Sequence, residues 1–161
     1  MTPDGPATEA GSRSYRVEAR STASVEDVWA LVAHADRWRE WSFLTRTGLE
    51  RPGPGEPDGV GALRRFTSYG VGSTEEVVTW DRPHHLAYRI VRGFPVRNYR
   101  ADVTLTADPD GGTRITWEGR YDPKLPGTGP LLAAFLPRMM QRFADDLAAH
   151  ADRTAAGEPP T

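Results

Sequence analysis

The stretch RNYRADVTLTADPDGGTRITWEGRY, Arg97–Tyr121, decides the fold class. Tyr99, Ala101, Val103 and Leu105 alternate with Arg100, Asp102, Thr104 and Thr106, and Ile115, Trp117, Gly119 and Tyr121 alternate with Arg114, Thr116, Glu118 and Arg120. A period of two over that length is the signature of strands with one dry and one wet face. The intervening DPDGG, Asp108–Gly112, is turn chemistry of the kind that joins neighbouring antiparallel strands. The stretch therefore predicts a hairpin within an antiparallel sheet that is covered on one side only.

Upstream, SFLTRTGLE, GALRRFTSY, STEEVVTW and HHLAYRIV continue the strand pattern, and SYRVEARS adds a strand near the N-terminus with Tyr15, Val17 and Ala19 on one face. In HHLAYRIV the apolar parity sends Leu86, Tyr88 and Ile90 inward and carries Arg92 with them. Two strands stay undecided. In GALRRFTSY, Leu63, Arg65, Thr67 and Tyr69 compete with Ala62, Arg64, Phe66 and Ser68 for the inner face; in STEEVVTW, Val77 and Thr79 compete with Val78 and Trp80. The Pro- and Gly-rich ERPGPGEPDGVG, Glu50–Gly61, is expected to be a long surface loop.

Helices frame this run. Ser24 is a good N-cap, Glu26 and Asp27 suit a first turn, and Val25, Val28, Trp29, Leu31 and Val32 form an apolar stripe, which predicts a helix over about Val25–Ala33. HADRWREW, His34–Trp41, follows. His34 at the helix end suits the dipole, Asp36 is expected to cap a second short helix, and at least one of Trp38 and Trp41, with Trp41 singled out, is expected to pack against the last helix near a cavity. That last helix, from about Thr128 to Arg153, places Leu132, Phe135, Leu136, Met139, Met140, Phe143 and Leu147 at helical spacing, a broad face that needs a sheet to cover. Pro137 within it predicts a kink or a break, because its ring removes one backbone bond and clashes with the carbonyl of Ala133.

Composition bounds the function. One domain over 12–153 is expected, with disordered tails at 1–11 and 154–161 rich in Pro, Gly, Ala and Glu. With 20 basic and 22 acidic residues the net charge is −2, which points away from nucleic acid and anionic membranes. No apolar run approaches the roughly 20 residues of a membrane span, so a cytoplasmic monomer or homodimer is expected. The chain has no cysteine, and its four histidines are scattered apart from the adjacent His84 and His85, which point to opposite sides of a strand, so no metal site and no cofactor is expected. Phosphate-loop, dinucleotide and nucleophile-elbow motifs are missing from the sequence.

Four stretches carry a family resemblance: STASVEDVWALVAHADRWREW (Ser21–Trp41), EEVVTWDRPHHLAYRI (Glu75–Ile90), GGTRITWEGRY (Gly111–Tyr121) and LPGTGPLLAAF (Leu125–Phe135). Their order over Ser14–Arg153 resembles the START-like SRPBCC superfamily, and most closely its polyketide cyclase and dehydrase branch. The resemblance implies an α+β helix-grip fold: a curved antiparallel sheet of about seven strands wrapped around a long C-terminal helix, with two short helices after the first strand. It also implies a cavity between sheet and helix that takes a hydrophobic or aromatic small molecule.

Residues expected at such a cavity are Trp41, Phe66, Tyr69, Tyr88, Tyr99, Trp117 and Tyr121 from the sheet side, and Leu132, Phe135, Leu136, Met139, Met140 and Phe143 from the helix. The alternative is a cyclase or aromatase that closes and dehydrates a poly-β-ketone. There Arg65 or Arg92 would polarise a carbonyl, Tyr88 or Tyr69 would relay the proton, and Glu75 or Glu76 would serve as base or as the arginine's partner. A third reading is an interaction module whose cavity is vestigial.

Overall fold

The computed structural model describes residues 12–159; the expected tail at 1–11 and the final two residues lie outside that range. The hairpin of Arg97–Tyr121 forms the second and third strands from one edge of the sheet. β6 (Val96–Ala107) and β7 (Thr113–Pro123) run antiparallel with Val103 opposite Trp117 and Leu105 opposite Ile115, all buried. On the far side of β7 lies β1 (Arg13–Ser21), with Tyr15 opposite Gly119. That glycine is required: a Cβ there would lie 2.3 Å from the Tyr15 ring.

The remaining strands are β2 (Arg46–Arg51), β3 (Leu63–Ser68), β4 (Val71–Asp81) and β5 (His85–Arg92), giving one seven-stranded antiparallel sheet in the order β1-β7-β6-β5-β4-β3-β2. β4 explains its ambiguous parity. Val77 is fully buried, and a bulge between Val77 and Thr79 shifts the alternation so that Trp80 also turns inward, where it meets Trp29 edge-on at 5.1 Å. A bulge inserts one residue and exchanges faces, so both candidate sets were partly inside.

The curved sheet grips α3 (Gly129–Ala155), which packs along β1, β7 and α1 (Val25–Val32). Leu132, Leu136, Met140, Phe143, Leu147 and Ala151 form the buried stripe. Of the kink or break expected at Pro137, the break does not occur: α3 is continuous through it. Leu136 and Met140, on either side of the proline, are both seated on the sheet, and that tertiary packing outweighs one missing helical hydrogen bond. The helix also runs to Ala155, two residues beyond the expected end at Arg153. Among the described residues no helix is long and apolar enough to cross a membrane.

Candidate functional site

HADRWREW builds a corner. The last four carbonyls of a helix lack intrahelical partners, and here each finds one. Ala33 N donates to Trp29, the Arg37 guanidinium to Ala30, Trp41 Nε1 to Leu31 at 3.2 Å and Trp38 Nε1 to Val32 at 2.8 Å. The two indoles therefore close the end of α1 while their rings pack together, centroids 4.8 Å apart. A 3-10 turn (Ala35–Arg37) leads into α2 (Trp38–Trp41). Asp36 caps neither, contrary to expectation. Asp58, from the long loop, does the capping work instead: its carboxylate accepts from Ala35 N at 2.9 Å and sits 3.1 Å from His34 Nδ1.

This corner sets Trp38 against Phe66, with which it stacks at 4.5 Å, and against Phe143 of α3 at 5.7 Å. Beside them a cavity of about 240 Å³ lies between α3 and the inner face of β3–β6. Its walls are Trp38, Phe43, Leu44, Phe66, Tyr88, Ile90, Phe94 and Tyr99 on one side and Phe135, Leu136, Met139, Met140 and Phe143 on the other, completed by Val71, Gly72 and three polar residues, Ser68, Ser73 and Glu75. Val71 and Phe135, 68% and 48% exposed, mark the rim, whereas Trp38, Tyr88, Tyr99 and Glu75 are buried.

Glu75 is the single acidic side chain of this wall, and it belongs to an ion pair. Arg64 stands directly opposite it on β3 and donates from Nη2 to Glu75 Oε2 at 2.9 Å, with no exposure of its own side chain. Three rings surround the guanidinium: its Cζ lies 4.9 Å from the Tyr88 centroid, 5.1 Å from Phe66 and 5.3 Å from Trp38. Such contacts stabilise a cation that is otherwise costly to bury. Arg64 Nε and Nη1 have no hydrogen-bond partner among the described residues. Burial pushes the Glu75 carboxyl above the usual carboxylate range, with Arg64 opposing. Burial likewise holds the Tyr88 and Tyr99 hydroxyls well above the ordinary phenol range, and the nearby Glu75 charge adds to the shift. Both keep the phenol proton. Tyr88 accepts from Trp117 Nε1 at 3.1 Å, and the Tyr99 and Tyr15 hydroxyls bond to each other.

The structure separates the expected site residues into three groups. Phe66, Tyr88, Tyr99, Phe135, Leu136, Met139, Met140 and Phe143 line the cavity together. Trp41, Trp117, Tyr121 and Leu132 are buried but stand outside its wall, with Trp117 behind Tyr88 and Trp41 behind Trp38. Arg65, Arg92 and Tyr69 face away. Arg65 is exposed on the outer face, where it reaches the Thr74 hydroxyl at 3.4 Å; Arg92 pairs with Glu50; and Tyr69, in the β3–β4 turn with φ 50°, is 90% exposed.

At β3 either parity buries an arginine, so alternation alone is indifferent. Seating Ala62 and Phe66 in the core takes Arg64 in, and Glu75 on the facing strand supplies its counter-charge. Glu76 faces outward and pairs with Arg89. Sequence reading missed Phe43, Leu44 and Phe94, which lie in connections and carry no periodic signal, and it ranked Trp41 over Trp38. His84 and His85 point apart as expected, to the Leu105 carbonyl and to Asp102, and no group of residues suited to a metal occurs among the described residues.

Comparison with known proteins agrees with this geometry. A family model described as polyketide cyclase / dehydrase and lipid transport matches residues 12–152. Among solved structures, a protein from Nitrosospira multiformis aligns with TM-score 0.72 at 17% identity, covering 89% of this chain and 99% of its own. One from Thermobifida fusca aligns at 0.68 and 23% identity, covering 89% and 93%. Ara h 8.0201 aligns at 0.68 and 13% identity, covering 88% and 98%. At such identities these likenesses establish the helix-grip fold. No curated protein matches.

Proposed function

The chain belongs to the polyketide cyclase / dehydrase and lipid transport family, and within it we propose that this protein binds a hydrophobic or aromatic small molecule in the cavity under α3. One observation carries the reading: an apolar space of about 240 Å³ whose inner wall holds a buried carboxyl and two phenols. Ligand sites are typically of this kind, mostly apolar with a few polar groups that set orientation. Met139 and Met140 add side chains that adapt to irregular shapes. The neutral fluorophore N-phenyl-1-naphthylamine tests it. Saturable binding at one site, abolished by Met139→Trp at the half-buried wall position, is the expected result; unsaturable or undiminished binding refutes the reading.

A second reading is cyclisation and dehydration of a poly-β-ketone, favoured by the raised proton affinity of Glu75 beside the Tyr88 phenol. Glu75 would take an α-proton from the substrate, Tyr88 would hold the enolate oxygen by a hydrogen bond, and Arg64 would steady the carboxylate. Arg65 and Arg92 have no part in this version, since both lie on the outer face. Incubation with a short poly-β-ketone thioester, followed by mass spectrometry for loss of water, decides it. Turnover unchanged by Glu75→Gln would defeat the assignment.

A further inference from the structure

Two buried polar groups of the cavity wall, Glu75 and Tyr88, keep free hydrogen-bonding capacity, one as acceptor and one as donor. Glu75 Oε2 is taken by Arg64, but Oε1 receives no hydrogen bond from the described residues. Tyr88 Oη accepts from Trp117, and its own proton has no acceptor among them. One of the Tyr99 and Tyr15 hydroxyls donates to the other, Ser68 donates to the Phe43 carbonyl, and the half-buried Ser73 side chain makes no hydrogen bond with the described residues.

The cation is out of reach. Arg64 is wholly buried behind the wall, enclosed by Trp38, Phe66 and Tyr88, whereas Glu75 reaches the wall itself. A carboxylate or phosphate in the cavity would therefore meet Glu75 with no cation to contact. A hydrocarbon would leave both free groups unpaired, which is costly for buried polar atoms.

We propose that the cavity selects a neutral, ring-bearing molecule with a hydroxyl group, whose O–H donates to Glu75 Oε1 and whose oxygen accepts from Tyr88 Oη. This rests on the cavity being the binding site. A hydroxyl suits Glu75 in either protonation state, because it both donates and accepts. Apolar cavities of roughly 150 Å³ admit a benzene ring, so about 240 Å³ leaves room for a larger ring system.

The test uses the unmodified protein with four probes of one shape: 2-naphthol, 2-methoxynaphthalene, naphthalene and 2-naphthoate, read by quenching of tryptophan emission and by calorimetry. Expected is an order of naphthol, then methoxynaphthalene, then naphthalene, with naphthoate weakest and at least about a tenfold gap between naphthol and naphthalene. Tyr88→Phe should weaken naphthol about fivefold or more while leaving naphthalene unchanged, a split that general loosening of the fold would not produce. Equal binding of naphthalene and naphthol overturns the inference and leaves the cavity reading standing. Tightest binding of naphthoate overturns it as well. If none of the four binds, the inference and the cavity reading fall together.

Discussion

From Phe143 to Ala151 the inward side of α3 is closed, whereas from Leu131 to Met139 the same helix is only half covered. Phe143, Ala144, Leu147, Ala148 and Ala151 are at most 6% exposed, while Leu131 and Phe135 are 70% and 48% exposed. The closed half is also clamped by polar contacts. Asp152 Oδ1 accepts from Ser21 Oγ, Thr22 N and Thr22 Oγ1, and Gln141 Nε2 donates to the Glu18 carbonyl. The open half roofs the cavity with Phe135, Leu136 and Met139, and only Leu132 and Leu136 of its inward side are as buried as the closed half. One helix thus serves as anchor at one end and as lid at the other, which concentrates stability away from the binding space.

The comparison is broken most severely at Glu75, the polar group where the open half meets the core. Glu75→Ala strands Arg64 as an unpaired buried charge and is expected to destabilise by about 3–5 kcal/mol in urea unfolding, whereas the double change Arg64→Met with Glu75→Leu should be close to neutral. Leu147→Ala, in the closed half, should cost about 2–5 kcal/mol by the cavity it leaves. Met139→Ala, in the open half, should cost well under half of that and instead change ligand affinity, as fluorescence titration will show.

Gly119→Ala drives a methyl group into the Tyr15 ring and should cost about 1–3 kcal/mol, with the Tyr15–Tyr99 hydrogen bond disturbed in hydroxyl-proton NMR. The pH response is gentler. The folded-state Glu75 value stands above the unfolded one, so the native protein holds that proton more tightly. Its contribution is greatest below the unfolded carboxylate range, declines as pH rises towards the folded value and is level beyond it. Glu40, Glu50 and Asp102, held low by their partners, act in the opposite direction in both proteins, so the difference in urea midpoint between the parent and the Arg64→Met, Glu75→Leu protein should fall as pH rises. Smallest of all, Arg65→Ala and Arg92→Ala on the exposed outer face should shift stability by about 0.5 kcal/mol or less and leave ligand binding unchanged.

Strand and helix placement was legible because both periods are long and clean. Tyr99 to Leu105 and Ile115 to Tyr121 announce their buried face without help, and the α3 stripe does the same. The site was legible only in part. Tyr88, Tyr99 and the α3 residues were found because inward parity and cavity wall coincide there; Trp117 and Tyr121 share that parity but sit one layer behind the wall, a distinction that parity does not carry. In β3 the two faces each hold one arginine, so the pattern could not rank them.

By itself the sequence determined the α+β class, the one-sided antiparallel sheet, the long covering helix and the end of α1 at its tryptophan corner, since each rests on local periodicity or on capping within a few residues. Tertiary structure decided which arginine is buried, that Glu75 is its partner, that Pro137 leaves α3 whole and that Asp58 caps the corner. Those outcomes depend on which side chains meet across strands and loops, and an ion pair or a packed helix face gains its free energy only when distant segments of the chain come together.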